Sequence, residues 1–218
     1  MSDLFAHDAS PARVSMQHDA PRGEGIAEVI ASSTGSFTAE VYRGKEAPAF
    51  GSWVRVEHEN GTEIFGLVSR VEIGSADPHR RAIALGRTQE ELRQEMPHVL
   101  ELIRSTFSAQ TVAYRDRDGR IRQTLPPSPP SIHSFVVPCS ADDVCALGQP
   151  YDYLRTLARN PDPTVPADDL LVAVLRQIYE ANDPRRDGEQ ALLEAARVLS
   201  RLLNDDHERL HSILRRVA

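Results

Sequence analysis

The chain has 218 residues but only two cysteines, Cys139 and Cys145, and a single lysine, Lys45. Two thiols cannot make the disulfide framework of a small secreted domain. Among 25 basic residues the near absence of lysine is a skew toward arginine, read here as coding bias rather than chemistry. Positive charge is short overall: a net charge of -7 argues against a nucleic-acid coat or an anionic membrane surface as the default partner. No apolar run approaches the roughly 20 residues that cross a bilayer, and no secretory signal is evident. A cytoplasmic location without a membrane partner is therefore expected. A phosphate-binding loop is also missing. Gly44-Lys45 is followed by Glu46 and has no earlier glycine, so nucleotide hydrolysis is not expected.

What is present centres on Phe50 to Val71, FGSWVRVEHENGTEIFGLVSRV. Trp53, Arg55 and Glu57 alternate with Val54 and Val56, whereas Ile64, Phe65, Leu67, Val68 and Val71 make a nearly continuous apolar run. The pattern predicts a hairpin whose second arm is buried on both faces. Asn60-Gly61 predicts a two-residue turn, and Gly51 and Gly66 stand where a small barrel would bend or pack closely.

Residues 1 to 24 lack apolar periodicity and are expected to form a disordered leader. IAEVIASS and SFTAEVYR predict two strands about Thr34-Gly35, and RAIAL, residues 81 to 85, is a candidate fifth strand that would close the sheet. Thr88 with Glu91 predicts a capped helix, followed by a second from Pro97 that points Val99, Leu100, Leu102 and Ile103 inward. Thr111 to Arg117 and Arg120 to Leu125 then form a hairpin about Asp118-Gly119. PPSPP, residues 126 to 130, predicts a stiff surface connector, SIHSFVVPC a last strand, and Ser140 with Asp143 another helix start. One more helical piece, PYDYLRTLAR, precedes the linker RNPDPTVP.

After Pro166 the sequence predicts three amphipathic helices. Leu171, Val174, Leu175 and Ile178 form the stripe of the first. Leu192, Leu193, Ala196, Leu199 and Leu203 face inward on the second, which starts at Asp187. Asp205 is the expected cap of the third, with Leu210, Ile213, Leu214 and Val217 inward. No one of these helices is stable alone, so they must pack on each other, on the barrel, or on a partner.

The glycine-flanked GSWV and GTEIFGLV, followed by LPPSPPSIHSFVVPCSADDVCALG, resemble the HAS barrel, named for HerA-type DNA translocases and ATP synthase. The resemblance covers about residues 25 to 149. It implies a barrel that sits on a ring of ATPase subunits and serves assembly or docking. In the translocases a P-loop ATPase domain follows the barrel, whereas here RNPDPTVP leads into helices. The expected fold is mainly β barrel plus α: a small closed or nearly closed β-barrel over 25 to 149 with inserted short helices, a connector over 150 to 165, and a three-helix segment over 166 to 218.

Three residue groups could carry chemistry. Arg115, Arg117, Arg120 and Arg122 crowd one hairpin and could meet phosphates or an acidic partner, although Asp116 and Asp118 dilute them and only Tyr114 could stack a base. His207, Glu208 and His211 spell HExxH, the spacing of a zinc hydrolase, in which His207 and His211 would hold the metal. A third ligand would have to come from upstream, Arg209 sets a positive charge inside the motif, and Asp205 with Glu208 stands in capping-box register. Cys139, Cys145 and His133 would make three ligands where a closed zinc site needs four. No catalytic set and no cofactor is therefore expected. The expected role is non-enzymatic protein interaction or self-assembly. Its alternatives are an accessory subunit that docks on a ring ATPase or nuclease in DNA processing, with nucleic-acid contact left open, and a zinc hydrolase.

Overall fold

The computed structural model describes residues 25–58, 61–75, 83–182 and 187–217. The expected leader lies outside them, as do Asn60 and the first two residues of RAIAL.

Alternating apolar residues build β1 (Ala27–Ser32), β2 (Ser36–Val41) and β3 (Trp53–Glu57), and a nearly continuous apolar run builds β4 (Glu63–Ser75), where the sequence places them. After helices α1 (Gln89–Glu95) and α2 (Pro97–Glu101) come β5 (Ile103–Arg115), the short β6 (Ile121–Arg122) and β7 (Phe135–Pro138). All pairings are antiparallel, in the order β2-β1-β7-β3-β4-β5-β6, and a further β2–β5 pairing closes six of the strands into a barrel. Closure removes the open edges that a sheet would otherwise present.

The fifth barrel strand differs from the expected one. Ile83 to Leu85 form no strand and are exposed, while Ile103–Arg115 pairs along β4 and β2. Leu102 and Ile103 also leave the expected helix: α2 ends at Glu101, Leu102 is exposed, and Ile103 opens β5. The physical reason is that β4 runs for 13 residues and needs a partner of equal length. Phe107 and Ala109 enter the barrel at period two, which overrides a helical spacing that finds nothing to pack against.

Both hairpin turns are one residue longer than expected. His58 N–H donates to Thr62 O (2.8 Å) and Asp116 N–H to Arg120 O (2.9 Å), so each connection holds three residues. Only their last residues, Gly61 (φ 77°) and Gly119 (φ 78°), show the left-handed backbone among those described, as a three-residue loop requires. The proline connector carries no regular element, yet Pro126 and Pro130 are buried, and Pro130 O accepts from Ser32 Oγ at 2.7 Å.

The barrel interior is filled by Val29, Phe37, Val54, Val56, Phe107 and Val136, among others. Outward residues of β3, β4 and β5, including Trp53, Phe65, Leu67 and Val112, join a second core with the later helices. β4 is thus buried on both faces, as its apolar run predicts, because barrel interior and helical layer lie on either side. The helices are α3 (Ala141–Ala146), α4 (Tyr153–Ala158), α5 (Ala167–Asn182), α6 (Gly188–Leu202) and α7 (His207–Val217). The stripe of α5 is buried as expected. On α6 the buried face is Ala191, Ala195 and Leu199, whereas Leu193 is exposed, since small residues let the α5 and α6 backbones approach. Asp206 rather than Asp205 caps α7: its Oδ1 accepts from Arg209 N–H at 3.1 Å.

Candidate interaction surface

The helical layer divides the outside of the barrel into a covered and a bare part. On the covered part Trp53 meets Tyr153 edge to face, with ring centroids 5.3 Å apart. At its border Arg55 donates to Glu63 (2.6 Å), and Arg115 bonds the other Glu63 oxygen. Both guanidinium groups lie 3.7 Å from Asp143, and Arg115 stacks over Phe65 at 5.3 Å. Asp143 also closes the expected capping box of α3, accepting from Ser140 N–H at 3.0 Å and returning its own N–H to Ser140 Oγ at 3.2 Å. One carboxylate thereby ties the helix start to two barrel strands.

This arrangement changes what the arginine hairpin can offer. Arg115 is folded back on Glu63 and Phe65, and Arg122 Nε donates to Asp116 at 3.1 Å. Asp116 also accepts from the Asp118 and Arg120 amides, and these bonds hold its carboxyl below the usual range, the Arg120 amide foremost. The hairpin carries its own counter-charge. Arg117 and Arg120 sit in its loop and past it, so the four arginines do not form one outward cluster.

His207, Glu208 and His211 occupy the exposed side of α7, while Leu210 and Ile213 are buried. Arg209 turns inward: its Nε donates to Asp168 Oδ1 (2.7 Å) and an NH2 to Ala158 O (3.2 Å). Its presence inside the HExxH match has a packing reason, because it ties α7 to α5 and to the end of α4. The two cysteines have separate surroundings. Cys145 Sγ donates to Ala181 O at 3.3 Å, while burial foremost, and then the Asp143 charge, pushes the Cys139 thiol well above its ordinary range. His133 meets Glu28 of β1 instead. Among the described residues no three His, Cys, Asp or Glu side chains are grouped as metal ligands.

The bare part includes β1, β2 and an arm that sequence reasoning missed. Beyond Glu72, where the pairing of β5 with β2 has ended, β4 continues with β5 as a two-stranded extension that leads into α1 and α2. Neither helix buries a residue. Thr88 and Glu91 cap α1 reciprocally, as expected, and Thr88 N–H foremost holds the Glu91 carboxyl below its usual range. Ile73 is 71% exposed and Ile83 76%, and Ile73, Leu92, Leu100 and Ile103 line a recess of about 560 Å³. Of the charged residues that line it, Arg104 pairs with Glu40 (2.9 Å) and Arg43 donates to Glu101 O (3.2 Å). The signal for this arm in the sequence is a segment, 83 to 103, that is too long for a turn, and its apolar residues find no fully buried position.

On the adjoining strands Tyr42 OH donates to Glu28 at 3.1 Å. Burial foremost, and then this bond and the Glu28 charge, push the Tyr42 phenol up to about 12. No helix of the described residues is long and apolar enough to cross a membrane.

No curated protein matches the chain. Residues 26–117 match the family model of the HAS barrel domain, a span that contains β1 to β5 and both arm helices. The sixth barrel strand, β7, lies past the matched residues and is supplied by the segment in which the sequence resemblance had its proline connector. Residues 26–117 are thus similar to a HAS barrel domain, and β7, beyond them, closes the five matched strands into one ring.

Proposed function

We propose that the chain is a non-enzymatic assembly module in which the barrel is the scaffold and the β4–β5 arm is the contact element. The observation that carries this reading is the arm itself. Its two helices bury nothing, yet they and their flanks present Ile73, Ile83 and Leu102 to solvent. Apolar groups left on a surface favour a protein partner that removes them from water, at about 25 cal/mol per Å² covered. The barrel interior is occupied by the apolar side chains of the first core, as in a scaffold. HAS barrel domains occur in ATPase assemblies, so the partner class favoured is a ring ATPase, with a HerA-type translocase or its nuclease as the specific case.

The test is to purify native complexes at low and moderate salt from cells expressing the chain or a variant with Ile73, Ile83 and Leu102 all changed to Ser. Mass and composition are then compared. A stoichiometric complex formed by the natural chain and lost in the variant is expected. A chain recovered only as a monomer would overturn the proposal, as would a complex indifferent to all three changes.

A further inference from the structure

β4 has a partner on one side only for its outer half. β3 pairs with it as far as Leu67, and Ser52 and Gly51 then take up the N–H and C=O of Val68. From Arg70 onward β5 covers one edge and, among the described residues, no strand covers the other. The closed barrel leaves this short edge of β4 as a template for another strand.

The side chains on that edge are self-complementary. Arg70 and Glu72 are 47% and 64% exposed and lie on one face, separated by Val71. Within the chain they meet only at 3.9 Å, too far for a hydrogen bond. An antiparallel copy related by a two-fold axis at Val71 sets each Arg70 opposite the other Glu72, so two ion pairs form from a single Arg-Val-Glu sequence. The same register brings Gly74 opposite Val68, whose edge is already taken by Gly51 and Ser52. The ladder is therefore confined to Arg70–Glu72 of each copy, and Gly74, around which a Cβ would meet nothing within 4 Å, lies where β4 parts from its copy. An isologous contact of this kind closes at two subunits.

We infer that the open edge of β4 pairs with the same edge of a second copy of this chain, antiparallel about Val71, with Arg70 of each copy on Glu72 of the other. This rests on the assembly reading above and names one of its contacts.

The test is the oligomeric state of the full chain by sedimentation across the micromolar range, for natural protein, R70E and E72R. Like charges directly opposed across a strand pair are unfavourable, and each single change alters both symmetric pairs. Each variant alone should therefore dimerise at least about tenfold more weakly. Because R70E also faces Asp162, whose carboxyl feels Arg70, E72R provides the independent variant. Mixing R70E with E72R sets two Glu against two Arg and should restore a one-to-one dimer. In the natural dimer the amides around Val71 should exchange hydrogen more slowly as concentration rises. A natural chain that stays monomeric overturns the inference. So does a dimer that neither change weakens, or a mixture that fails to recover. A heterologous complex without any homodimer would overturn this contact and leave the assembly reading standing.

Discussion

A Cβ placed on Gly51 would lie 2.4 Å from the Cβ of Ala173, far inside any real contact. Gly51 stands before the first arm of the central hairpin and Ala173 lies on α5, so the helical layer comes directly against the barrel backbone here. Gln177, one turn further on, bonds Gly51 O.

Gly51→Ala should therefore destabilise the fold twice over. Its φ of 80° costs a residue with a Cβ about 1–2 kcal/mol, and the clash adds about 1–3 kcal/mol. Urea unfolding should show a loss of about 2–5 kcal/mol. In the double variant with Ala173→Gly, the clash part should return while the backbone part stays. Strict additivity would show that the two residues do not touch.

Inside the barrel, a Cβ on Gly66 would meet Phe37 Cε1 at 2.8 Å and Ala109 Cβ at 3.1 Å. Gly66→Ala should cost about 1–3 kcal/mol by overpacking. Phe37→Leu, which empties the crowded space, should make the same change less costly. Equal cost in both backgrounds, read from denaturant midpoints, would argue against this contact.

The phenol of Tyr42 gives a pH dependence of definite sign. Its folded-state value of about 12 lies above the ordinary value of 10.0, so the folded state holds its proton more tightly than the unfolded chain. The stability this contributes is fully present below the unfolded value and is lost as pH rises from there through the folded value. Between pH 10 and 12 the natural chain should lose stability faster than Tyr42→Phe, which has no proton to lose there. Parallel curves for the two proteins would mean that Glu28 and burial do not hold the phenol.

On α7 the exposed and inward parts of the HExxH match should separate cleanly. Changing His207 and His211 together to Ala should alter stability by no more than about 0.5 kcal/mol. Arg209→Ala should cost about 1–3 kcal/mol, because it leaves Asp168 and Ala158 O without their donor. Calorimetric titration with zinc gives an independent reading. One ion bound per natural chain and none by the histidine variant would make α7 a metal site.

Much of the barrel could be read from residues, and the reason is local. Strands β1 to β3 alternate at period two, β4 is a nearly continuous apolar run, and Gly51 and Gly66 stand in the sequence where close approach later proves necessary. The helix starts at Thr88 and Ser140 were equally legible, since a capping box is complete within four residues. The failures share a different cause. Leu102 and Ile103 carry a helical spacing, and only the demand of a long β4 for a partner converts Ile103 to strand. Leu193 counts as core by its side chain, yet the approach of α5 selects Ala191 and Ala195. The arginine hairpin looked outward because Glu63 and Asp143, which hold Arg115, are far from it in sequence. What depends on a distant partner was not written beside the residue it controls.

The place of β7 in the ring has a consequence for the order of events in folding. This strand has four residues and stands between β1 and β3, although it follows both of them in the chain. As the polypeptide leaves the ribosome, β1 to β5 can pair among themselves well before Phe135–Pro138 is made. Through that interval the facing edges of β1 and β3 have no partner, and the barrel is an open, curled sheet. Long-range pairing of this kind is slow because it closes a long loop before any contact repays it. Insertion of β7 is then the step that locks the ring, and the nascent chain is most exposed to wrong strand pairing just before it.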